Sequence, residues 1–263
     1  LAVNIIASIN GNNGLAIGNI VGSNIANVLL ILGVAGTITS LTVQKNTVWR
    51  EIPFSLFAAL LLGFLVNDQL SGDSQTDQIS RADGLILIAM FALFLFYTFR
   101  LGKNNLTEEL PEADDARPMW KSVGMLILGL AGLVIGGKWT VEGAVSLALL
   151  FGYSESFVGF TIVAIGTSLP ELATAVVAVR KGNTDLAIGN VIGSNIFNIL
   201  SILGITSMVH GLRVNTMIID SDMLWMLGLT LGILPLMLFR RRLGTVSGII
   251  LLTFYSLYIF MIL

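Results

Sequence analysis

The stretch GNVIGSNIFNILSILG, residues 189–204, repeats almost letter for letter the earlier GNIVGSNIANVLLILG, residues 18–33. An offset of 171 sets Leu1 on Leu172 and Gly33 on Gly204, with identity at 19 of those 33 positions and at 10 of the 13 between 15 and 27. A match of that length in one register is an internal duplication. The phrase is apolar apart from regularly placed Asn and Ser, and that combination governs the rest of the reading.

Composition sets the solvent. The 263 residues are 55% hydrophobic and 11% charged, where a soluble domain carries about 25% charged residues. No charged residue occurs between Leu1 and Gln44. A bilayer core of about 30 Å takes roughly 20 apolar residues per helix. The runs predict helices near 1–9 (a stub), 13–38, 48–66, 83–100, 119–150, 156–180, 185–209, 219–239 and 244–262. The chain has no cysteine, which excludes disulfides and thiolate metal sites. A net charge of −2 gives no electrostatic footprint for nucleic acid.

The segment 101–118, LGKNNLTEELPEADDARP, is the one long polar connector. If it is cytoplasmic, that side collects Lys45, Arg50, Arg100, Lys103, Arg117, Lys121, Arg180, Lys181, Arg240, Arg241 and Arg242. The opposite side holds Arg81 and Arg213, and the asymmetry orients the chain. The loop RKGNTD, 180–185, then lies inside, while its counterpart INGNNG, 9–14, lies outside. The two repeats are therefore inverted, a plan that recurs in secondary transporters with the ion site where the repeats meet.

Glu171 is the only charged residue between Glu155 and Arg180, within AIGTSLPELATA, residues 164–175. An acid at the centre of a span costs about 2.5–3.5 kcal/mol on translocon scales, so it faces a cavity or an ion path by default. Pro170 deprives the carbonyl of Gly166 of its helical donor, and Gly166, Thr167 and Ser168 ease the opening of that turn. Freed carbonyls, two hydroxyls and a carboxylate are hard oxygen donors suited to Ca²⁺ or Na⁺. Thr167 and Ser168 lie four and three residues before Glu171, on the same helix face.

The duplicated phrase adds a stripe. Asn190, Ser194 and Asn198 fall at i, i+4 and i+8, as do Asn19, Ser23 and Asn27 in the first copy. Ser194 and Asn198 read as ligands. Asn24 and Asn195, off the stripe, read as interhelical glue, and the small-xxx-small pairs Gly18/Gly22 and Gly189/Gly193 as packing. Lys138 and Glu142, four apart, read as an ion pair that hides two charges. His210 and the acids of 68–83 and 108–115 read as solvated loop residues.

On GTSLPELATAVVAVRKGNTDLAIGNVIGSNIFNILSILG, 166–204, and NGNNGLAIGNIVGSNIANVLLILG, 10–33, the chain resembles the calcium/cation antiporter superfamily, within it the prokaryotic sodium/calcium exchanger branch. The resemblance implies an all-α polytopic membrane protein with two inverted-topology repeats of five transmembrane helices. Residues 1–100 would be the first repeat, lacking its first helix and half of its second. Residues 101–118 would be the cytoplasmic connector and 119–263 the second repeat. A longer exchanger, of which this sequence is a fragment, is the expectation.

The same resemblance implies that Glu171 is a shared calcium and sodium ligand. Ala164 and Thr167 would offer backbone carbonyls, Ser168 and Ser194 hydroxyls, and Asn198 its amide oxygen, with Ser23 and Asn27 doing the same from the first repeat. Asn198 stands where many animal exchangers have Asp, which argues against potassium co-transport. The G-N-x-x-E pattern of proton-coupled relatives is absent, since Gly189-Asn190 leads to Gly193.

The expected function is exchange of Ca²⁺ for Na⁺ by alternating access in a prokaryotic inner membrane. Both ions are substrates, the bilayer is the surrounding partner, and neither a cofactor nor enzyme activity is expected. The alternatives are an H⁺/Ca²⁺ antiporter and a cation channel. A hydrolase built on Ser168 would need a base, and the only histidine is His210.

Overall fold

A computed structural model describes residues 1–42, 50–66, 78–105, 119–152, 159–213, 223–232 and 242–262. In the first half α1 (Ala2–Ile9) leads into the long α2 (Asn13–Ile38), followed by α3 (Ile52–Val66) and α4 (Arg81–Asn105). The second half begins with α5 (Met119–Leu150) and continues through α6 (Thr161–Thr167), α7 (Leu169–Arg180) and α8 (Thr184–Val209). It ends with α9 (Met223–Gly232) and α10 (Thr245–Ile262).

Burial, not hydropathy, separates the long helices. Helix α2 has 89% of its apolar 18-residue window buried, so it forms the middle of the bundle. Helices α4 and α10 are equally apolar but only 11% buried, which marks them as lipid-facing. Leu29, Ile31 and Leu32 of α2 join Ile188, Ile196 and Leu200 of α8 in one core.

The halves interlock through their last helices. Helix α10 of the second half packs on the end of α2 in the first, and α4 of the first half packs on the end of α8 in the second. Both crossings are glycine-on-glycine. A Cβ at Gly248 would lie 2.8 Å from the carbonyl oxygen of Gly33, and one at Gly84 would lie 2.7 Å from that of Gly204. Gly33 and Gly204 are the final residues of the duplicated phrase, so the same contact is made twice about a pseudo-twofold axis.

Two short antiparallel ladders repeat that exchange at the two ends of the bundle, a feature beyond the all-α expectation. The strands are β1 (Leu41–Thr42), β2 (Gln78–Ile79), β3 (Leu212–Arg213) and β4 (Arg242–Leu243). β1 pairs with β4, Leu41 opposite Leu243, and β2 pairs with β3, Gln78 opposite Arg213.

The ladders also sort the loops. Thr42 meets Thr184 hydroxyl to hydroxyl at 2.9 Å, which places the basic Arg180–Lys181 turn at the β1–β4 end with Arg242. Ser8 donates to the His210 carbonyl at 3.3 Å and Arg81 to that of Val209 at 3.5 Å, which places the uncharged loop after α1 at the β2–β3 end. Equivalent loops of the two repeats thus emerge at opposite ends, as inversion requires. Lys45, Arg117, Arg240 and Arg241 lie outside the described residues.

Two expectations change, and one, the opening of the span before Pro170, is met. Helix α4 runs to Asn105 instead of ending near 100, because LGKNN contains no breaker before Pro111. The span expected at 156–180 is broken between α6 and α7 with a bend of 48°. Among the described residues a Cβ at Gly193 would meet nothing within 4 Å, and one at Gly189 only a Glu51 oxygen at 4.0 Å, so no close helix approach is seen at this pair. The close approaches fall at the far end of the phrase, where the outer helices cross.

Candidate ion-binding site

The break in the long span is local chemistry made visible. Ser168 leaves helical geometry with φ −94° and ψ 0°, its N–H bonds to the Ile165 carbonyl at 3.0 Å, and Pro170 sits in the first turn of α7. This is the opening expected from Pro170, one turn before Glu171. Each long helix also carries a π turn, Asn27–Ile31 in α2 and Phe197–Leu203 in α8. They occupy equivalent positions of the two repeats. Such turns rotate the side chains around them and concentrate at functional sites, and the apolar letters NVLLI and FNILSIL carry no signal for them.

The broken span and the two stripes surround a cavity of about 670 Å³, whose walls include Ser23, Thr167, Ser168, Glu171, Ser194 and Asn198. Six of the eight residues expected as ligands are therefore brought to one space. Ala164 enters through its carbonyl oxygen, which accepts from Thr167 Oγ1 at 3.1 Å and Ser23 Oγ at 3.4 Å. Asn27 is buried to 1% exposure just behind the wall, and its Nδ2 donates to Asn195 Oδ1 at 2.9 Å.

Thr167 joins the repeats through its hydroxyl, where the family resemblance implied its carbonyl. Its Oγ1 lies 3.1 Å from Ser23 Oγ and 3.1 Å from Asn19 Oδ1, both across the repeat interface. Asn19 in turn donates to Asn4 Oδ1 at 2.7 Å. Asn4 is almost wholly buried and lines the cavity, a role the sequence reading missed although a lone Asn in an apolar stub was the available signal.

Asn190 Nδ2 donates to the backbone carbonyl of Glu171 at 3.3 Å, and Ser194 stands on the same cavity wall. Among the described residues Glu171 Oε2 is buried without a hydrogen-bond partner, and so is Oδ1 of Asn27. An unpaired carboxylate oxygen is among the most costly groups to bury, and a cation satisfies it directly.

Glu142 of α5 lies on the same wall. The side chain of Lys138 lies outside those described, so the expected pair with Glu142 is named and left there. His210 is exposed at the end of α8, as a loop histidine.

Two inverted repeats that bring oxygen-bearing helices to a shared cavity inside a lipid-facing bundle define a membrane transport protein. The chain belongs to the sodium/calcium exchanger protein family, which matches residues 1–100 and 121–263. It is 37% identical over 262 residues to the putative antiporter CaxA of Alkalimonas amylolytica, covering 96% of this chain and 79% of that protein. It is 38% identical over 216 residues to the inner membrane protein YrbG of Escherichia coli K12, covering 79% of this chain and 64% of the relative. Among solved structures, the sodium-calcium exchanger NCX_Mj superposes with a TM-score of 0.77 at 31% identity, covering 98% of this chain and 81% of that one.

Proposed function

We propose that this protein exports Ca²⁺ in exchange for Na⁺ by alternating access, both ions competing for one set of oxygen ligands around Glu171. The observation that carries the proposal is the buried, unpartnered Oε2 of Glu171 beside a broken helix, with Ser194 of its own repeat and Ser23 of the other on the same cavity wall. Ser168, Asn198, Asn27 and the carbonyls of Ala164 and Thr167 complete the ligand set. Such all-oxygen sites select Ca²⁺ and Na⁺ over softer metals. Residues 1–100 and 119–263 act as the two repeats, with 101–118 as a cytoplasmic connector.

Coupling follows from charge. A site that keeps an uncompensated carboxylate inside the membrane resists crossing empty, so one ion leaves only as another replaces it. The long α5 packs against both α6 and α7 and is the element placed to slide past them. The likeness to YrbG supports an inner-membrane location. Neutral Asn198 supports Na⁺ over H⁺ as the counter-ion, because an amide offers no proton to exchange.

Sodium-gradient-driven ⁴⁵Ca²⁺ uptake into inside-out vesicles tests the reading. Glu171→Gln abolishes uptake if the assignment is right, and full uptake by that variant overturns it. Uptake driven as well by a pH gradient alone would replace Na⁺ by H⁺, and current in symmetrical sodium would replace the exchanger by a channel.

A further inference from the structure

We propose that Asn24 and Asn195 are positioning residues that orient the ion-facing amides of the opposite repeat and thereby set the affinity of the site. The proposal rests on the ligand roles given above to Asn27 and Asn198.

An asparagine amide presents an oxygen at one end and an NH₂ of nearly the same shape at the other. A cation is held by the first and repelled by the second, so a ligand amide works only if something keeps it from turning over. In this protein the anchor comes from across the repeat interface. Asn198 Nδ2 donates to Asn24 Oδ1 at 3.0 Å, and Asn27 Nδ2 donates to Asn195 Oδ1 at 2.9 Å.

These are the same bond made twice, since Asn24 and Asn27 correspond to Asn195 and Asn198 at the offset of 171. In each case the NH₂ end of the ligand amide is consumed. The oxygen end is what remains: Asn198 lies on the cavity wall, and Asn27 Oδ1 is buried without a partner.

The anchors are themselves oriented. Asn195 Nδ2 donates to the Asn24 carbonyl at 3.3 Å, and Asn24 Nδ2 rests on the sulfur of Met226 at 3.7 Å, so both present their acceptor ends. Asn24 is 1% exposed and Asn195 4%, so both acceptors are buried. A packing role would make size the controlling variable. A positioning role makes the acceptor oxygen the controlling variable.

The test separates the two in the full-length protein, with KM for Ca²⁺ and kcat read from sodium-driven uptake. Asn24→Leu keeps the branched shape and removes the acceptor, and KM rises about three- to tenfold, the worth of one buried hydrogen bond. Asn24→Asp restores the acceptor and recovers most of that loss. Asn24→Asp combined with Asn198→Asp sets two acceptors against each other, and the double variant loses about tenfold more than the product of the singles.

A wild-type KM in Asn24→Leu, an Asn24→Asp as impaired as Asn24→Leu, or a double variant that equals the product overturns the proposal. If Asn24→Leu does not fold, the aspartate cycle decides alone. Asn198→Ala keeps the two readings apart. A wild-type KM there removes the ligand assignment itself, whereas a raised KM there with a wild-type Asn24→Leu removes only the positioning role.

Discussion

Asn27 reaches out of its own repeat to donate to Asn195 at 2.9 Å, and 171 residues later Asn198 returns the bond to Asn24 at 3.0 Å. The duplicated helices are thus clasped at the same depth as the cavity, by side chains their own repetition supplies. A helix pair joined by two buried amide–amide bonds resists separation, because parting them would strand four polar groups in an apolar core. Motion during transport is left to helices outside the clasp.

The hydroxyl contact between Ser23 and Thr167 is a second tie across the interface. Thr167→Val removes the hydroxyl without changing shape and takes a donor from Asn19 Oδ1, which is buried. A loss of about 1–3 kcal/mol of stability follows. Ser23→Ala costs less on the Thr167→Val background than alone, a coupling of about 0.5 kcal/mol or more in a double-mutant cycle of detergent melting. Strict additivity would deny the tie.

Glycine crossings provide a contrast within one helix set. Gly248→Ala drives a methyl against the Gly33 carbonyl and the Thr37 N–H, both 2.8 Å from the new Cβ, and Gly84→Ala does the same against Gly204 from the other repeat. Each destabilises by about 1–3 kcal/mol through overpacking. Gly193→Ala enters open space and is neutral or stabilising by up to about 1 kcal/mol, the helix-propensity gain. Melting temperatures of the three variants check the order.

Pro170→Ala returns an N–H donor to the carbonyl of Gly166 and favours a straight span. The expected outcome is equal or higher thermal stability with reduced calcium uptake, since the opening at Ser168 is what exposes the oxygens beside Glu171. Undiminished uptake would show that the bend of 48° is incidental to transport.

Much of this architecture was legible because its causes are local. Spans follow from runs of apolar residues, and the break at Ser168 follows from Pro170 and the small residues before it. The inversion follows from basic residues at one set of loops. The cavity around Glu171 was legible too, because a lone acid at membrane depth has few places to point. The π turns were not, since NVLLI and FNILSIL are compatible with an ordinary helix and only the packing around them selects the wider turn.

The sequence by itself determined the helices, their duplication, the broken span and the residues that gather at Glu171, since each depends on neighbours within a turn or two of the chain. Tertiary structure alone decided which asparagine meets which, and which glycine marks a crossing. Helical spacing already sets Asn24 and Asn195 off the stripe that carries Asn27 and Asn198, but no local rule pairs an asparagine with its partner. The pairing arises only when the two copies face each other across the pseudo-twofold axis and each buried donor must find an acceptor on the other side.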